Sequence, residues 1–430
     1  MRLFGASKVK DNDLIIGGIK ASKLAENYGT PLYVMDEQLL IDKCRDYIKA
    51  FRVKEDYNRV AFAGKAFLTI EMCRLINNEG LYLDVVSGGE LYTAYKANFP
   101  MEKIYFHGNN KTPDEIELGV KLGVGRFVVD NLWEMNKIND VAEKYNKKQD
   151  IYLRLTPGIE AHTHDYIKTG QIDSKFGFAP VENIIMDAVK TALSLENVNL
   201  VGLHCHIGSQ IFETEPFKDA AEVMIKFIND IKQETGHIIE ELDLGGGFGI
   251  YYSEGDMPKD TDEYCSVILK SVDDTCSKLG VKKPILTIEP GRSIVANAGT
   301  TLYTIGSIKE IPNIRKYVAI DGGMTDNIRP SLYGAKYEAL VANKAGEIKN
   351  DRVTIAGKCC ESGDILINDI ELQKAENGDV LAILSTGAYG FSMASSYNKI
   401  LRPAVVFVRN GEAKVIVKRQ SYDDLIKEEL

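Results

Sequence analysis

A single lysine, Lys65, lies at the end of an apolar, strand-like run, AFAGKAF at residues 61–67. Lysine is rarely buried without a partner, so either its amine reaches solvent or another group occupies it. A glycine run, GGGFG at residues 245–249, and the carboxylate Glu289 also follow strand-like runs. Glycine N–H groups can bind a phosphate, and a lysine amine can form a Schiff base with an aldehyde. These residue types together suit an aldehyde cofactor that carries a phosphate.

Pyridoxal phosphate has these needs, because a carboxylate such as Glu289 favours the protonated ring nitrogen that makes it an electron sink. Each residue alone also has a structural explanation. Lys65 can extend its charged end to solvent, the glycines can form a tight turn, and Glu289 can pair with Arg292. The glycine run lacks the G-x-G-x-x-G spacing and no P-loop lysine follows it, which disfavours dinucleotides and nucleoside triphosphates. The placement of the lysine, the glycine run and the carboxylate after strand-like runs favours pyridoxal phosphate.

Two histidine pairs were considered as metal ligands. His204 and His206 lie on one face of a predicted strand, but no carboxylate or cysteine at ligand spacing supports a metal site. We therefore expect no metal. We expect the ring of one of these two histidines to pack flat on an aromatic cofactor and the ring of the other to lie in the core. His162 and His164 are predicted to lie in a loop and give no clear signal.

The order of elements explains how these residues can meet. Between residues 59 and 290, short β-branched runs alternate with helical patterns, which is typical of βα units around a parallel sheet. Eight such units form a (β/α)8 barrel, whose active sites lie at the carboxyl ends of the strands. Lys65, His107 and Glu289 follow or end three of these runs. The predicted strands are 59–63, 81–86, 103–106, 126–130, 150–155, 200–206, 241–244 and 285–289.

After residue 290 the sequence becomes rich in strands with few long helical patterns. Its end contains Asn410-Gly411 between two alternating runs, a strong hairpin signal. Residues 1–36, which include PLYVMD, can add a strand to this part. We therefore expect an α/β plus all-β protein: a TIM-like barrel over residues 37–290 and a β-barrel or sandwich domain formed by residues 1–36 and 291–430.

Composition restricts the class of partner. A net charge of -10 disfavours nucleic acid and anionic membranes, so a small molecule is the expected partner. No apolar run is long enough to span a membrane and no signal segment opens the chain, which indicates a soluble, cytoplasmic protein. The seven cysteines do not form a disulfide pattern, and free thiols are expected.

The chain resembles the pyridoxal-phosphate-dependent decarboxylases of the alanine-racemase-like fold group, and within them the diaminopimelate decarboxylase family. One departure is that Phe62 and Phe67 stand where many relatives have Tyr and Asn in the lysine motif. The matching motifs run from residue 62 to 406 and are FAGKAF, DVVSGGELY, HTHDYIKTGQIDSKFGF, HCHIGSQ, DLGGGFG, EPGR, DGGMTDNIRPSLYG, CCESGD, GAYGFSMASSYN and RPAVV.

This resemblance implies a role for each matching residue. Lys65 would carry pyridoxal phosphate as a Schiff base, His204 would stack on its ring, and Glu289 would partner its nitrogen. The β domain would supply a proton donor, Cys360, and Glu361, which binds the distal amino-acid end of the substrate. Both would come from the neighbouring subunit of a homodimer with shared active sites. Further cofactor contacts would be Gly245, Gly246, Gly247, Gly291, Arg292 and Tyr389, and substrate contacts would be Arg292, Arg329, Tyr333 and Tyr389.

The implied reaction is decarboxylation of meso-2,6-diaminopimelate to L-lysine and CO2, the last step of lysine biosynthesis. The arginines can pair with the distal carboxylate of this substrate, and Glu361 can pair with its distal amine. Ornithine and lysine have only an amine at that end, so an enzyme for either would need the glutamate and not the arginines. Decarboxylation of another basic amino acid or of carboxynorspermidine is the alternative. A racemase of the same fold would have a tyrosine where CCESGD stands, and a non-catalytic relative would be expected to lack Lys65 or Cys360.

Overall fold

The computed structural model describes residues 1–159 and 173–430. It divides into two compact units, which we name the barrel unit (Cys44–Gly249 and Met257–Gly291) and the β unit (Met1–Lys43, Ile250–Asp256 and Arg292–Leu430). The domain limits expected at residues 36 and 290 stay predictions. His162 and His164 lie outside the described residues.

The described strands, in chain order, are β1 Lys8–Lys10, β2 Asp13–Ile16, β3 Ile19–Lys20, β4 Leu32–Asp36, β5 Arg59–Ala63, β6 Tyr82–Val85, β7 Ile104–Phe106, β8 Arg126–Val129, β9 Gln149–Leu155, β10 Val198–Cys205, β11 Glu241–Asp243, β12 Ile285–Ile288, β13 Gly299–Ile311, β14 Arg315–Ile320, β15 Ala339–Val341, β16 Asp351–Ala356, β17 Ile365–Leu372, β18 Val380–Leu384, β19 Ala404–Arg409 and β20 Glu412–Val417.

The described α-helices are α1 Ala21–Tyr28, α2 Glu37–Ala50, α3 Val53–Asp56, α4 Ile70–Asn78, α5 Gly88–Lys96, α6 Pro113–Leu122, α7 Leu132–Lys144, α8 Ile184–Ser194, α9 Glu215–Thr235, α10 Thr261–Leu279, α11 Arg292–Val295, α12 Arg329–Tyr333 and α13 Tyr422–Ile426. Among the described residues, none of these helices is both long and apolar enough to cross a membrane.

The barrel unit is a closed parallel barrel of eight strands, β5 to β12, in which β12 pairs with β5 to complete the ring. Each of the eight predicted strands is present, with ends within two residues of the prediction. Helices alternate with the strands because their apolar faces cover the outside of the sheet. Together with the separate mixed sheet of the β unit, this confirms the predicted fold class.

Helix α6 shows how local sequence sets the limits of these helices. The Thr112 side chain accepts a hydrogen bond from the Glu115 N–H, and the Glu115 carboxylate accepts one from the Thr112 N–H at 2.9 Å. This capping box and Pro113 at the first helical position start the helix. Gly123 ends it with φ +80°, in the left-handed region that glycine adopts without strain.

The amino-terminal end of the barrel is closed by a buried network around Glu241. Arg59 and Arg126, the first residues of β5 and β8, donate to its carboxylate at 2.7 and 2.9 Å. The Tyr152 hydroxyl donates to it at 2.6 Å, and Arg59 also donates to the Tyr105 hydroxyl at 3.2 Å. Burial alone would raise the pKa of Glu241, but the two arginines outweigh it and lower the pKa to about 2.

The β unit is built around a mixed sheet in which β13 is the central strand. Strand β4, from the amino-terminal segment, lies between β13 and β19, so residues before the barrel do supply a strand to this sheet. Asn410 and Gly411, with φ +52° and +83°, connect β19 to β20 and confirm the predicted hairpin. All seven cysteines are free, as expected.

We predict that Glu241→Gln destabilises the protein by about 3 kcal/mol, because it leaves two partly buried arginines without a counter-charge. Urea unfolding at pH 7 measures this loss. The pKa of Glu241 is lowered to about 2, so its stabilisation is complete above about pH 4.5 and is lost as the pH falls towards 2. The difference in the free energy of unfolding between wild type and variant should therefore decrease as the pH falls towards 2.

The matched control is Glu234→Gln, which breaks the exposed ion pair with Lys190 and should leave stability nearly unchanged. Equal stability of the Glu241 variant and wild type at pH 7 would contradict the importance of the network.

Candidate active site

Lys65 lies directly after β5, in the single turn Gly64–Ala66. The turn packs tightly at Gly64, where a Cβ atom would lie 2.7 Å from the Asp84 carbonyl oxygen. The Lys65 side chain is nonetheless exposed, and no residue of 1–159 or 173–430 forms a hydrogen bond or ion pair with its amine. An accessible amine that is held at a strand end and is not engaged in an ion pair is suited to covalent chemistry.

Glu289, which directly follows β12, is buried between two histidines of the barrel unit. Nε2 of His107, at the end of β7, lies 2.7 Å from Oε1 of Glu289, and Nε2 of His204, in β10, lies 3.4 Å from its Oε2. Asp84 lies 3.8 Å from His107. The four residues meet because the carboxyl ends of parallel strands share one end of the barrel.

Burial and charge set the ionisation of this cluster. Burial alone would raise the pKa of Glu289, but His107 and then His204 hold it well below its usual range. Burial lowers the pKa of His204 to about 3, so this ring is neutral at pH 7. Burial raises the pKa of Asp84 to about 6 and, together with Glu289, that of Asp243 well above its usual range. Glu289 is therefore the carboxylate of this cluster most favoured to be charged.

Several buried polar atoms of the cluster lack a hydrogen-bond partner among the described residues: Oε1 of Glu289, Nε2 of His107, Nδ1 of His204 and Oδ1 of Asp84. The 2.7 Å contact between His107 and Glu289 is not aligned as a hydrogen bond. Buried polar atoms are usually paired, so the cluster fits a ligand that carries polar atoms, such as a pyridine nitrogen. One nitrogen of each histidine and one Glu289 oxygen also lie within 4.8 Å of one another, a spacing that suits a metal. The expectation of no metal stays a prediction.

The glycine run after β11 is tightly packed on neighbouring backbone. A Cβ atom on Gly246 would lie 2.1 Å from the Glu289 carbonyl oxygen, and Gly245 and Gly247 have φ values of +67° and +113°. The Gly246 N–H donates to Nδ1 of His206 at 3.2 Å. Within the described residues, no acceptor is recorded for the Gly247 N–H. The run can thus offer a backbone donor to a phosphate, as cofactor binding requires.

In the β unit, two arginines come together with several tyrosines. Arg292 and Arg329 are each only 7% exposed, and both donate to the Tyr252 hydroxyl, at 2.7 and 3.2 Å. The Tyr389 ring lies 5.0 Å from the Arg292 guanidinium carbon and 5.9 Å from that of Arg329. Arg329 also donates to the Tyr337 hydroxyl at 2.5 Å. Burial would raise the pKa of Tyr252, but the two arginines together lower it.

The other β-unit residues that the sequence predicted for the site are not part of this arginine cluster. Tyr333 ends α12 half-buried, and no contact with the arginines is recorded for it within the described residues. Cys360 and Glu361 are exposed, and the Cys360 N–H donates to Oδ1 of Asn398 at 2.8 Å. Neighbouring Cys359 is buried, which raises the pKa of its thiol to about 11. Cys360 is therefore the accessible thiol of the pair.

The sequence assigned no role to four of these residues. Asp84 and His107 had a usable signal, because they lie at strand ends in the same way as Glu289. Tyr252 and Tyr337 had none, since nothing in the local pattern distinguishes them from the other tyrosines of the chain. The place of Tyr252 beside the arginines depends on the segment Ile250–Asp256, which belongs to the β unit although it lies between barrel elements in the sequence.

Comparison with known proteins defines the class. Residues 38–296 match the family model described as pyridoxal-dependent decarboxylase, pyridoxal binding domain. The chain is 51% identical to diaminopimelate decarboxylase of Bacillus subtilis, over 100% of this chain and 98% of that protein. It is 46% identical to diaminopimelate decarboxylase of Staphylococcus aureus, over 97% of both. A crystal structure of diaminopimelate decarboxylase from M. jannaschii with L-lysine superimposes with a TM-score of 0.92, at 40% identity over 99% of this chain and 97% of that one.

The chain therefore is a pyridoxal-dependent decarboxylase and, more narrowly, belongs to the diaminopimelate decarboxylase family. This confirms the resemblance, the class of enzyme and the cofactor, pyridoxal phosphate, that the motifs predicted.

We predict that Glu289→Gln lowers kcat on the order of 100-fold, because a neutral amide cannot stabilise a protonated pyridine nitrogen. Steady-state kinetics and the visible absorption spectrum of the loaded enzyme measure this effect. The matched control is Asp243→Asn: the raised pKa of Asp243 favours its neutral form, so the same type of change should cost far less. Equal losses in both variants would show that the charge of Glu289 is not what matters.

Proposed function

We propose that this protein decarboxylates meso-2,6-diaminopimelate to L-lysine and CO2, the last step of lysine biosynthesis. The observation that carries the choice of substrate is Arg329, a buried guanidinium with no carboxylate within 4.0 Å among the described residues. A buried cation without a counter-charge is costly, so the site favours an anionic ligand. The distal carboxylate of diaminopimelate supplies that charge, whereas ornithine and lysine lack it.

In the barrel unit, we assign the cofactor contacts to strand ends. The Lys65 amine attaches pyridoxal phosphate, His204 packs against its ring, and Glu289 keeps the ring nitrogen protonated. When bound, the cofactor supplies an electron sink for the electron pair left by departing CO2. Additional contacts are assigned to the glycine run Gly245 to Gly247 and to Gly291 of this unit, and to Arg292 and Tyr389 of the β unit.

In the β unit, we assign substrate binding and protonation. Arg292 and Arg329 pair with substrate carboxylate, with Tyr333 and Tyr389 as further contacts. Glu361 receives the distal ammonium. The Cys360 thiol returns a proton to the α-carbon after CO2 has left, which fixes the product as lysine.

We further propose that the protein is a cytoplasmic homodimer in which Cys360 and Glu361 serve the active site of the neighbouring subunit. The exposure of both residues supports this assignment, because a proton donor works best in a site from which water is excluded. A second subunit would provide that cover.

The substrate is tested by measuring lysine and CO2 release from meso-diaminopimelate, ornithine and lysine with the same enzyme preparation. We expect kcat/KM for diaminopimelate to exceed the other two by at least about 100-fold, since losing a paired buried charge costs about 3 kcal/mol or more. Preferential turnover of ornithine or lysine would refute the proposed substrate.

The shared site is tested by mixing two inactive variants, Lys65→Ala and Cys360→Ala, under conditions that allow subunit exchange. Half of the molecules become mixed dimers with one intact site, so activity should recover to about one quarter of wild type. Lys65→Ala mixed with itself is the control. Mixed dimers that native mass spectrometry detects but that stay inactive would contradict the shared site.

A further inference from the structure

Arg329 is held in place by two tyrosine hydroxyls of the β unit. Its Nη1 donates to Tyr252 at 3.2 Å and to Tyr337 at 2.5 Å. The two rings meet edge to face, with centroids 5.4 Å apart, and both tyrosines are buried. Two separate elements therefore fix one nitrogen of this guanidinium.

This arrangement leaves a defined edge of Arg329 for a ligand. Nη1 carries two hydrogens, and the two tyrosines accept both of them. Within residues 1–159 and 173–430, no acceptor is recorded for Nε or Nη2. Nε and Nη2 form the side of a guanidinium that pairs bidentately with a carboxylate. In Arg329 this side is open to a ligand, although the residue is buried and charged.

The Tyr252 hydroxyl also links the two arginines, since it accepts from Arg292 at 2.7 Å as well as from Arg329. Its oxygen has two acceptor positions, and both are used. The segment that carries Tyr252 is itself fixed, because Asp256 accepts from the Tyr252 N–H at 2.9 Å and Asn297 donates to the Tyr251 carbonyl at 2.8 Å. The hydroxyl is therefore in place before any substrate binds.

We propose that Tyr252 and Tyr337 are positioning residues that select substrates with a distal carboxylate. By accepting both Nη1 hydrogens of Arg329, they direct its Nε and Nη2 edge towards that carboxylate. This inference rests on the proposed function and deepens it. The tyrosines act through Arg329, so they govern substrate affinity and not the chemical step.

Tyr252→Phe and Tyr337→Phe test this role, because each removes one hydroxyl and keeps the ring that packs on the arginines. We expect each variant to raise KM for meso-diaminopimelate about tenfold, the usual effect of losing a hydrogen bond to a charged group, with kcat changed less than about twofold. The inhibition constant of cadaverine, which lacks the distal carboxylate, should change less than about twofold, whereas that of L-lysine, which keeps this carboxylate as the product, should rise together with KM.

Two further variants make the test specific. Arg329→Lys keeps the charge but loses the bidentate edge, and should give the same selective loss of diaminopimelate affinity. Tyr303→Phe is the control, because Tyr303 is buried in the same unit and its hydroxyl has no hydrogen-bond partner among the described residues. It should leave KM unchanged. If one tyrosine variant does not fold, as thermal unfolding reports, the other tyrosine variant and Arg329→Lys provide the same comparison.

An unchanged KM in the tyrosine variants would overturn the inference. A loss of cadaverine binding as large as the loss of diaminopimelate binding would overturn it as well, because that result indicates general damage. These outcomes differ from failure of the proposed function, in which the wild-type enzyme itself would not convert meso-diaminopimelate.

Discussion

Pairing of the last barrel strand with the first is the constraint on which the cofactor site depends. Thr287 and Ile288 of β12 pair with Arg59 and Val60 of β5, and the Ala63 N–H donates to the Pro290 carbonyl at 3.3 Å. In an open sheet these two strands would be opposite edges. Closure of the ring brings together the ends that carry the lysine and the carboxylate, which lie far apart in the sequence. Gly291 permits this approach, since a Cβ atom there would lie 2.9 Å from that of Ala63.

The cluster around Glu289 in the barrel unit and the arginine cluster of the β unit handle buried charge in different ways. In the barrel unit, carboxylates are grouped with histidines, and burial moves the pKa values of Asp84 and Asp243 upwards while Glu289 stays ionised. In the β unit, the buried arginines are surrounded by tyrosines, which accept hydrogen bonds without adding a formal negative charge. The first arrangement suits a cationic ring nitrogen, and the second suits a carboxylate.

Much of the fold could be predicted because most barrel strands are short runs of β-branched or aromatic residues followed by polar residues or glycines. The strand-end rule located Lys65 and Glu289 correctly at the carboxyl end of the barrel. The same rule placed His107 at a strand end and applies equally to Asp84, but it assigned neither residue a role in the site. Tyr252 is different: its segment lies between barrel elements in the sequence and joins the β unit only through tertiary contacts, which no local periodicity encodes.

The Glu241 network has a consequence for the order in which the enzyme is assembled. It ties together β5, β7, β8, β9 and β11 with hydrogen bonds that involve protein groups alone. The amino-terminal end of the barrel can therefore form without help from any ligand, while unpaired polar atoms remain at the carboxyl-terminal end. Because these bonds need no cofactor, we expect the barrel to fold before the cofactor binds.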